Sequence, residues 1–222
     1  WLFLTVFAVA IGDRVDLMGD MNLLTFLAPG LIMMAVLQNA FANTSSSLVI
    51  GKVQGNIVDL VMPPLSAYEL FIGMVAAGMT RGIMVAIVAI MTMPFLGINI
   101  IPANIFAAVL FLSLGAGIMA VIGVIAGIWA DKFDSLATIT NFVIQPLVFL
   151  SGTFYTIDRL PDSVAVIAYF NPIFYMIDGF RYAMTGFSSA SPLLGGLILS
   201  LTMLMLSLFG IYLLKTGYKL KS

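Results

Sequence analysis

The sequence predicts an all-α polytopic membrane protein, and three observations carry that prediction. Of its 222 residues, 62% are apolar and 9% are charged, whereas soluble domains run at about 45–50% apolar and about 25% charged. The mean hydropathy is +1.15. Uncharged runs of about 20 residues, the length a helix needs to cross a hydrocarbon core, recur along the chain. Composition also removes whole classes of function. Cysteine and histidine are both absent, so disulfide frameworks, thiolate or imidazole metal sites and Cys–His or Ser–His–Asp catalysis have no residues to use. Nine basic against ten acidic side chains give a net charge of −1, which leaves no basic footprint for nucleic acid.

The elements follow in order. Trp1 to Ile11 is an apolar run that reaches only about 16 Å at 1.5 Å per residue, about half of the core. It reads as a partial first span, residues 1–11, of a helix cut midway. The charge-free stretch between Asp20 and Lys52 holds a span at 23–43. From Glu69 to Asp131 the only charge is Arg81, and the run is too long for one crossing. Pro94, Gly97, Asn99, Pro102 and Asn104 divide it into spans at 70–96 and 105–130. Further spans lie at 135–155 and 192–214. The expected domain is therefore single, covers 1–222, and has six crossings once the first is completed. Placing the tail with Lys215, Lys219 and Lys221 in the cytoplasm also puts Lys52 and Lys132 there. Asp13, Asp16, Asp20, Asp158, Asp162 and Asp178 then lie outside, with Arg14, Arg159 and Arg181.

Two segments are too polar to span. In the cytoplasmic one, the Asn43–Ser47 cluster suits a cap or turn and Pro63-Pro64 is a stop. Between them Val53, Ile57, Leu60 and Val61 share one helical face, while Lys52, Gln54, Asn56 and Asp59 lie on the other. This predicts a short helix over 51–62 that either covers the ends of the spans or docks a cytosolic partner. The external segment, 156–190, is rich in Phe and Tyr and punctuated by Pro161 and Pro172. It reads as a re-entrant or surface-lying helical cap, its rings suited to the interfacial belt. Asp178 and Arg181, spaced i, i+3, are placed for a local ion pair.

Polar residues inside the spans are few. Arg81 is expected to snorkel toward the cytoplasmic headgroups or to bond a neighbouring helix. No carboxylate or histidine in the spans offers it a proton relay. Gln38 and Asn39 in one span, and Thr138, Thr140, Asn141 and Gln145 in another, supply either interhelical hydrogen bonds or the lining of a central path with Phe149. Pro146 is expected to bend the second of these helices. Two GxxxG patterns, Gly78–Gly82 and Gly123–Gly127, predict close helix packing. There is no phosphate-binding loop, since Gly51-Lys52 lacks both the upstream glycine and the following hydroxyl. The chain also lacks the internal duplication of carriers built from inverted repeats. Six spans and a docking segment suggest half of a dimer driven by another chain's hydrolysis.

Several motifs together resemble the ABC-2-type permeases. Phe26-Leu27-Ala28-Pro29-Gly30 resembles the hydrophobic-Pro-Gly opening of their second helix, and Asn56–Ser66 their cytoplasmic segment ending in Pro-Pro-Leu-Ser. Arg81 sits where the family often carries an arginine. Pro146–Tyr155 resembles its P-x-x-F-L-S-G-x-F-Y signature, and Leu160-Pro161 with Asn171–Arg181 its L-P…N-P-x-x-Y ending. The resemblance runs over about residues 20–215 and is greatest to bacterial inner-membrane permeases grouped with nodulation-factor and drug exporters. It implies an exporter's membrane subunit, with no catalytic residue, cofactor or metal of its own, working as a homodimer in the lipid bilayer. ATP and Mg would be bound by a cytosolic ATP-binding subunit. It further implies a coupling helix bearing Lys52, Gln54, Asn56 and Asp59, and an outer gate or re-entrant pair bearing Asn171, Asp178 and Arg181. Hydrophobic or amphipathic cargo of drug, lipid or glycan type fits the apolar spans. A channel-type or scaffold subunit is the competing expectation.

Overall fold

The computed structural model describes residues 2, 5–6, 16–18, 21–56, 65–98, 101–155 and 162–219. Of the partial first span it therefore includes only Leu2, Thr5 and Val6, and Ile57–Pro64 with Asp59 lie outside the described residues. A short antiparallel pair, β1 (Asp16–Met18) and β2 (Met21–Asn22), leads into seven helices among the described residues. These are α1 (Leu23–Val53), α2 (Ala67–Thr92), α3 (Ile105–Trp129), α4 (Phe133–Phe149), α5 (Asp162–Phe170), α6 (Pro172–Thr185) and α7 (Pro192–Thr216). Four of them, α1, α2, α3 and α7, are long and apolar enough to cross a bilayer.

Caps explain several boundaries. Ser66 and Glu69 form a reciprocal capping box that starts α2. Asn104 accepts from the Ala107 N–H at the start of α3, and Asn171 accepts from Ile173 N–H at the start of α6, with Pro172 in its first turn. Gly97, Gly186 and Gly217 each close a helix in the left-handed region.

Two expected boundaries are corrected. First, no separate helix begins at residue 51. Residues 51–53 are the last turn of α1, which runs unbroken for 31 residues, and 54–56 form a turn. Ser45 and Ser46 do not cap. Their hydroxyls bond back to the Phe41 and Ala42 carbonyls four residues earlier, which lets the helix continue through the polar cluster. Second, the span expected at 135–155 ends at Phe149. At 17 residues it measures about 25 Å, short of a full crossing. Ser151, Gly152 and Thr153 instead form a buried turn, because the Asn171 and Arg181 side chains and the Val148 carbonyl of α4 satisfy their polar groups.

Inside α4, residues Thr140–Ile144 adopt a π turn, and the Gln145 N–H reaches the Thr140 carbonyl five residues back. Pro146 follows directly and has no N–H to offer, so the wide turn absorbs the mismatch that a proline forces on a regular helix.

Helices α1, α2 and α3 form the centre of the bundle, and the two GxxxG patterns decide how closely they meet. A Cβ placed on Gly78 would stand 2.8 Å from both Ala120 Cβ and Thr44 Cγ2, and one on Gly123 would stand 2.5 Å from the Phe41 carbonyl oxygen. Thr44 sits in this junction and donates its hydroxyl to the Ala120 carbonyl at 2.9 Å. Helix α6 is enclosed by the long helices. Phe174, Met176, Ile177, Phe180 and Ala183 are all buried, whereas Val166, Ile167 and Phe170 of α5 are exposed. Of the aromatics in this segment, Phe170 of α5 is thus exposed, whereas Phe174 and Phe180 of α6 belong to the core.

Candidate translocation face

About half of α1 is buried, 16 of its 31 residues, and part of what remains open is polar. At about 100° per residue, Gln38, Ala42, Ala35, Ser46, Asn39 and Asn43 fall in that angular order within an arc of about 140°. All six are at least partly exposed, while Leu37, Ala40, Phe41, Thr44 and Leu48 on the other side are buried. Each edge of this face is tied to a neighbouring helix. Gln38 Nε2 donates to Gln145 Oε1 of α4 at 3.3 Å. At the other edge, Arg81 Nη1 of α2 donates to Asn43 Oδ1 at 3.4 Å. Asn39 in the middle donates to the Ala35 carbonyl of its own helix.

Of the residues expected to line a path, the structure therefore brings Gln38, Asn39 and Gln145 together. Asn141 is exposed on α4, one π turn before Gln145. Phe149 stands at the far end of α4, partly exposed, and stacks on Phe154 with centroids 5.7 Å apart. Thr138 and Thr140 bond back to the carbonyls of Asp134 and Leu136 within α4, so neither reaches across.

Arg81 takes the second of its two expected options, a bond to a neighbouring helix. It lies about 21 Å along α2 from its first residue, near the helix midpoint. Its side chain is nevertheless exposed in the single copy. Facing hydrocarbon at that depth costs about 2.5–3.5 kcal/mol by insertion scales. An exposed arginine at the edge of a polar helix face marks a surface turned to water or protein.

Where α1 and α3 end, Lys52, Asp131 and Lys219 meet. Lys52 Nζ donates to the Ile128 and Ala130 carbonyls and lies 3.9 Å from Asp131. Lys219 Nζ donates to the Trp129 carbonyl at 3.0 Å and to Asp131 at 3.2 Å, and stands 5.2 Å from the Trp129 ring centre. Two cations thus satisfy the last carbonyls of α3 and sit at the negative end of its dipole. Lys52 is turned inward by this role, with only 9% of its side chain exposed. Gln54 and Asn56 are exposed in the turn that follows.

At the opposite end of the bundle, the expected ion pair forms. Arg181 Nη1 is 4.0 Å from Asp178 Oδ1, and both side chains are buried. Neighbours that the sequence reading did not assign complete the site. Arg181 Nη2 donates to the Gly152 carbonyl at 2.7 Å, and its guanidinium lies 4.0 Å from the Phe26 ring centre. Asp178 accepts from the Ser188 hydroxyl and from the Ser189 and Ala190 N–H groups. Asn171 Nδ2 donates to the Leu147 carbonyl and to Ser151 Oγ, both at 2.8 Å. The three residues therefore fasten α6 to the end of α4, to α1 and to the lead into α7.

Among the described residues no cluster of acidic, cysteine or histidine side chains could hold a metal. The geometry defines a class, an integral membrane bundle with a polar face left open along one helix. The chain belongs to the ABC-2 type transporter family, whose profile matches residues 1–185, from the opening residues through α6. It is 36% identical over 185 residues to "Inner membrane transport permease YadH" of Escherichia coli K12, covering 83% of this chain and 72% of that protein. Over 191 residues it is 26% identical to "Nodulation protein J" of Rhizobium leguminosarum bv. viciae, covering 83% of this chain and 71% of that protein. The chain is thus a membrane permease component of the transporter type.

Proposed function

We propose that this chain is the permease subunit of an ATP-driven exporter in the bacterial inner membrane, acting as two identical copies beside a cytosolic ATP-binding subunit. The carrying observation is the open polar face of α1, bounded by the Gln38–Gln145 bond and the Asn43–Arg81 bond. Such a face is unfavourable against lipid and favourable against a second copy enclosing a path. ATP and Mg bind to the partner chain. The exposed Gln54 and Asn56, with Asp59 beyond them, receive its motion. The Lys52–Asp131–Lys219 cluster then joins the ends of α1, α3 and α7, so that a push on the turn moves all three together. At the outer side α6 acts as a re-entrant gate held by Asn171, Asp178 and Arg181. The substrate is hydrophobic or amphipathic, of the drug, lipid or glycan kind.

Co-expression with the ATP-binding subunit encoded beside it tests this. The pair should co-purify and hydrolyse ATP faster than the ATPase alone. Changing Gln54, Asn56 and Asp59 together to alanine should abolish that stimulation, and full stimulation by the triple variant would sink the coupling assignment.

A further inference from the structure

We propose that Arg81 makes the path selective for amphipathic anions, molecules that join a phosphate-type group to an apolar body. This rests on reading the open face of α1 as the path. The other polar side chains on and beside that face, Gln38, Asn39, Asn43, Ser46 and Gln145, are neutral. Arg81 has five N–H donors, and the structure engages one of them, at 3.4 Å, with an amide oxygen. Among the described residues no carboxylate pairs with it. Glu69 lies about 18 Å away along the axis of α2 and is engaged by Ser66. Among the described residues the guanidinium is therefore a charge without a counter-charge, with the planar donor array that matches phosphate.

A cavity of about 300 Å³ lies beside it, between α1 and α2. Asn43 borders both the cavity and Arg81, and Thr44, Ser47, Gly73, Met74 and Ala77 continue the lining toward the cytoplasmic start of α2 at Leu65 and Glu69. Leu65, Leu70, Met74 and Ala77 give the slot an apolar wall, Asn43, Thr44 and Ser47 give it neutral polar groups, and the Glu69 carboxylate stands only at the end remote from Arg81. A neutral drug gains nothing from the guanidinium, and a small soluble anion gains nothing from the slot. A lipid-like anion uses both.

The test uses the full chain in phosphatidylcholine nanodiscs and two photoreactive probes with the same diazirine-bearing tails, a phosphatidic acid and a diacylglycerol. The phosphatidic acid should label residues 43–47 and 73–77 at least tenfold more than the diacylglycerol. Arg81→Gln should bring it down to the diacylglycerol level, Arg81→Lys should keep most of it, and excess inorganic phosphate should leave it in place. Equal labelling by the two probes, full labelling of Arg81→Gln, or displacement by inorganic phosphate would each overturn the proposal. The chain has no cysteine, so Ala42→Cys reports separately on the path through disulfide formation between copies. Cross-linking that persists in the Arg81→Gln background shows that the variant folds and pairs. Absence of the cross-link at Ala42 overturns the path reading itself, whereas loss of anion preference with the cross-link intact overturns only the role of Arg81.

Discussion

Replacing Arg181 by methionine removes a fully buried charge while keeping its volume roughly filled. Arg181 is 1% exposed. The substitution strips the Gly152 carbonyl of a 2.7 Å donor, leaves Asp178 without its cation at 4.0 Å, and deletes the contact with the Phe26 ring. Breaking a buried ion pair from one side costs about 3–5 kcal/mol. Asp178 keeps three other donors, which holds its share to the lower end. An orphaned buried carbonyl adds about 1–3 kcal/mol. Methionine offsets part of this, because Arg181 Nε is itself buried without a partner. The expected loss is about 3 kcal/mol, equivalent to a fall of roughly 6–12 °C in Tm for a chain of this size. Thermal unfolding of the detergent-solubilised protein, followed by size-exclusion chromatography, reads it. Combining Arg181→Met with Asp178→Asn should cost at least about 1 kcal/mol less than the sum of the two single changes. An unchanged Tm for the single variant, or strict additivity in the double, would refute the reasoning.

Other sites give independent expectations. Gly123→Ala places a Cβ 2.5 Å from the Phe41 carbonyl and should destabilise by about 1–3 kcal/mol, while Gly73→Ala, with no atom within 4 Å, should be neutral or slightly stabilising in the same Tm assay. Lys52→Met removes two donors to the end of α3 and the contact with Asp131, so Tm should fall by an amount equivalent to about 1–3 kcal/mol. Gln54→Ala with Asn56→Ala touches exposed groups only and should leave Tm within about 1 °C, although partner ATPase stimulation drops. Gln38→Leu with Gln145→Leu removes a bond worth about 0.6 kcal/mol in membranes. Stability should barely move while transport in reconstituted vesicles falls several-fold.

The spans at 70–96, 105–130 and 192–214 were legible because an apolar run ending in proline, glycine or asparagine is a local signal, and α2, α3 and α7 follow it within a few residues. The limits of α1 and α4 were not. Ser45 and Ser46 resemble a cap in sequence, but in a helix already held on both sides they fold back on their own carbonyls. Ser151–Thr153 resembles the end of a span, yet it turns because Asn171 and Arg181, about 20 to 29 positions later, supply the hydrogen bonds that a turn inside the protein requires. Candidate residues fared likewise. The pairing of Asp178 with Arg181 could be read from their spacing, but their partners could not.

By itself, then, the sequence determined a membrane protein of the ABC-2 type, the order of its spans, and which end gathers the lysines, because each rests on runs of neighbouring residues. Only the tertiary structure decided which side of α1 is open, that Lys52 closes the end of α3, and that Arg81 stands beside Asn43. On α1 polar residues lie on more than one side, Thr44 and Ser45 buried and Gln38, Asn39, Asn43 and Ser46 partly exposed, so the pattern does not say which side meets protein. The bond that ties α1 to α4, Gln38 to Gln145, joins residues 107 positions apart, and such a distance is closed by packing, not by pattern.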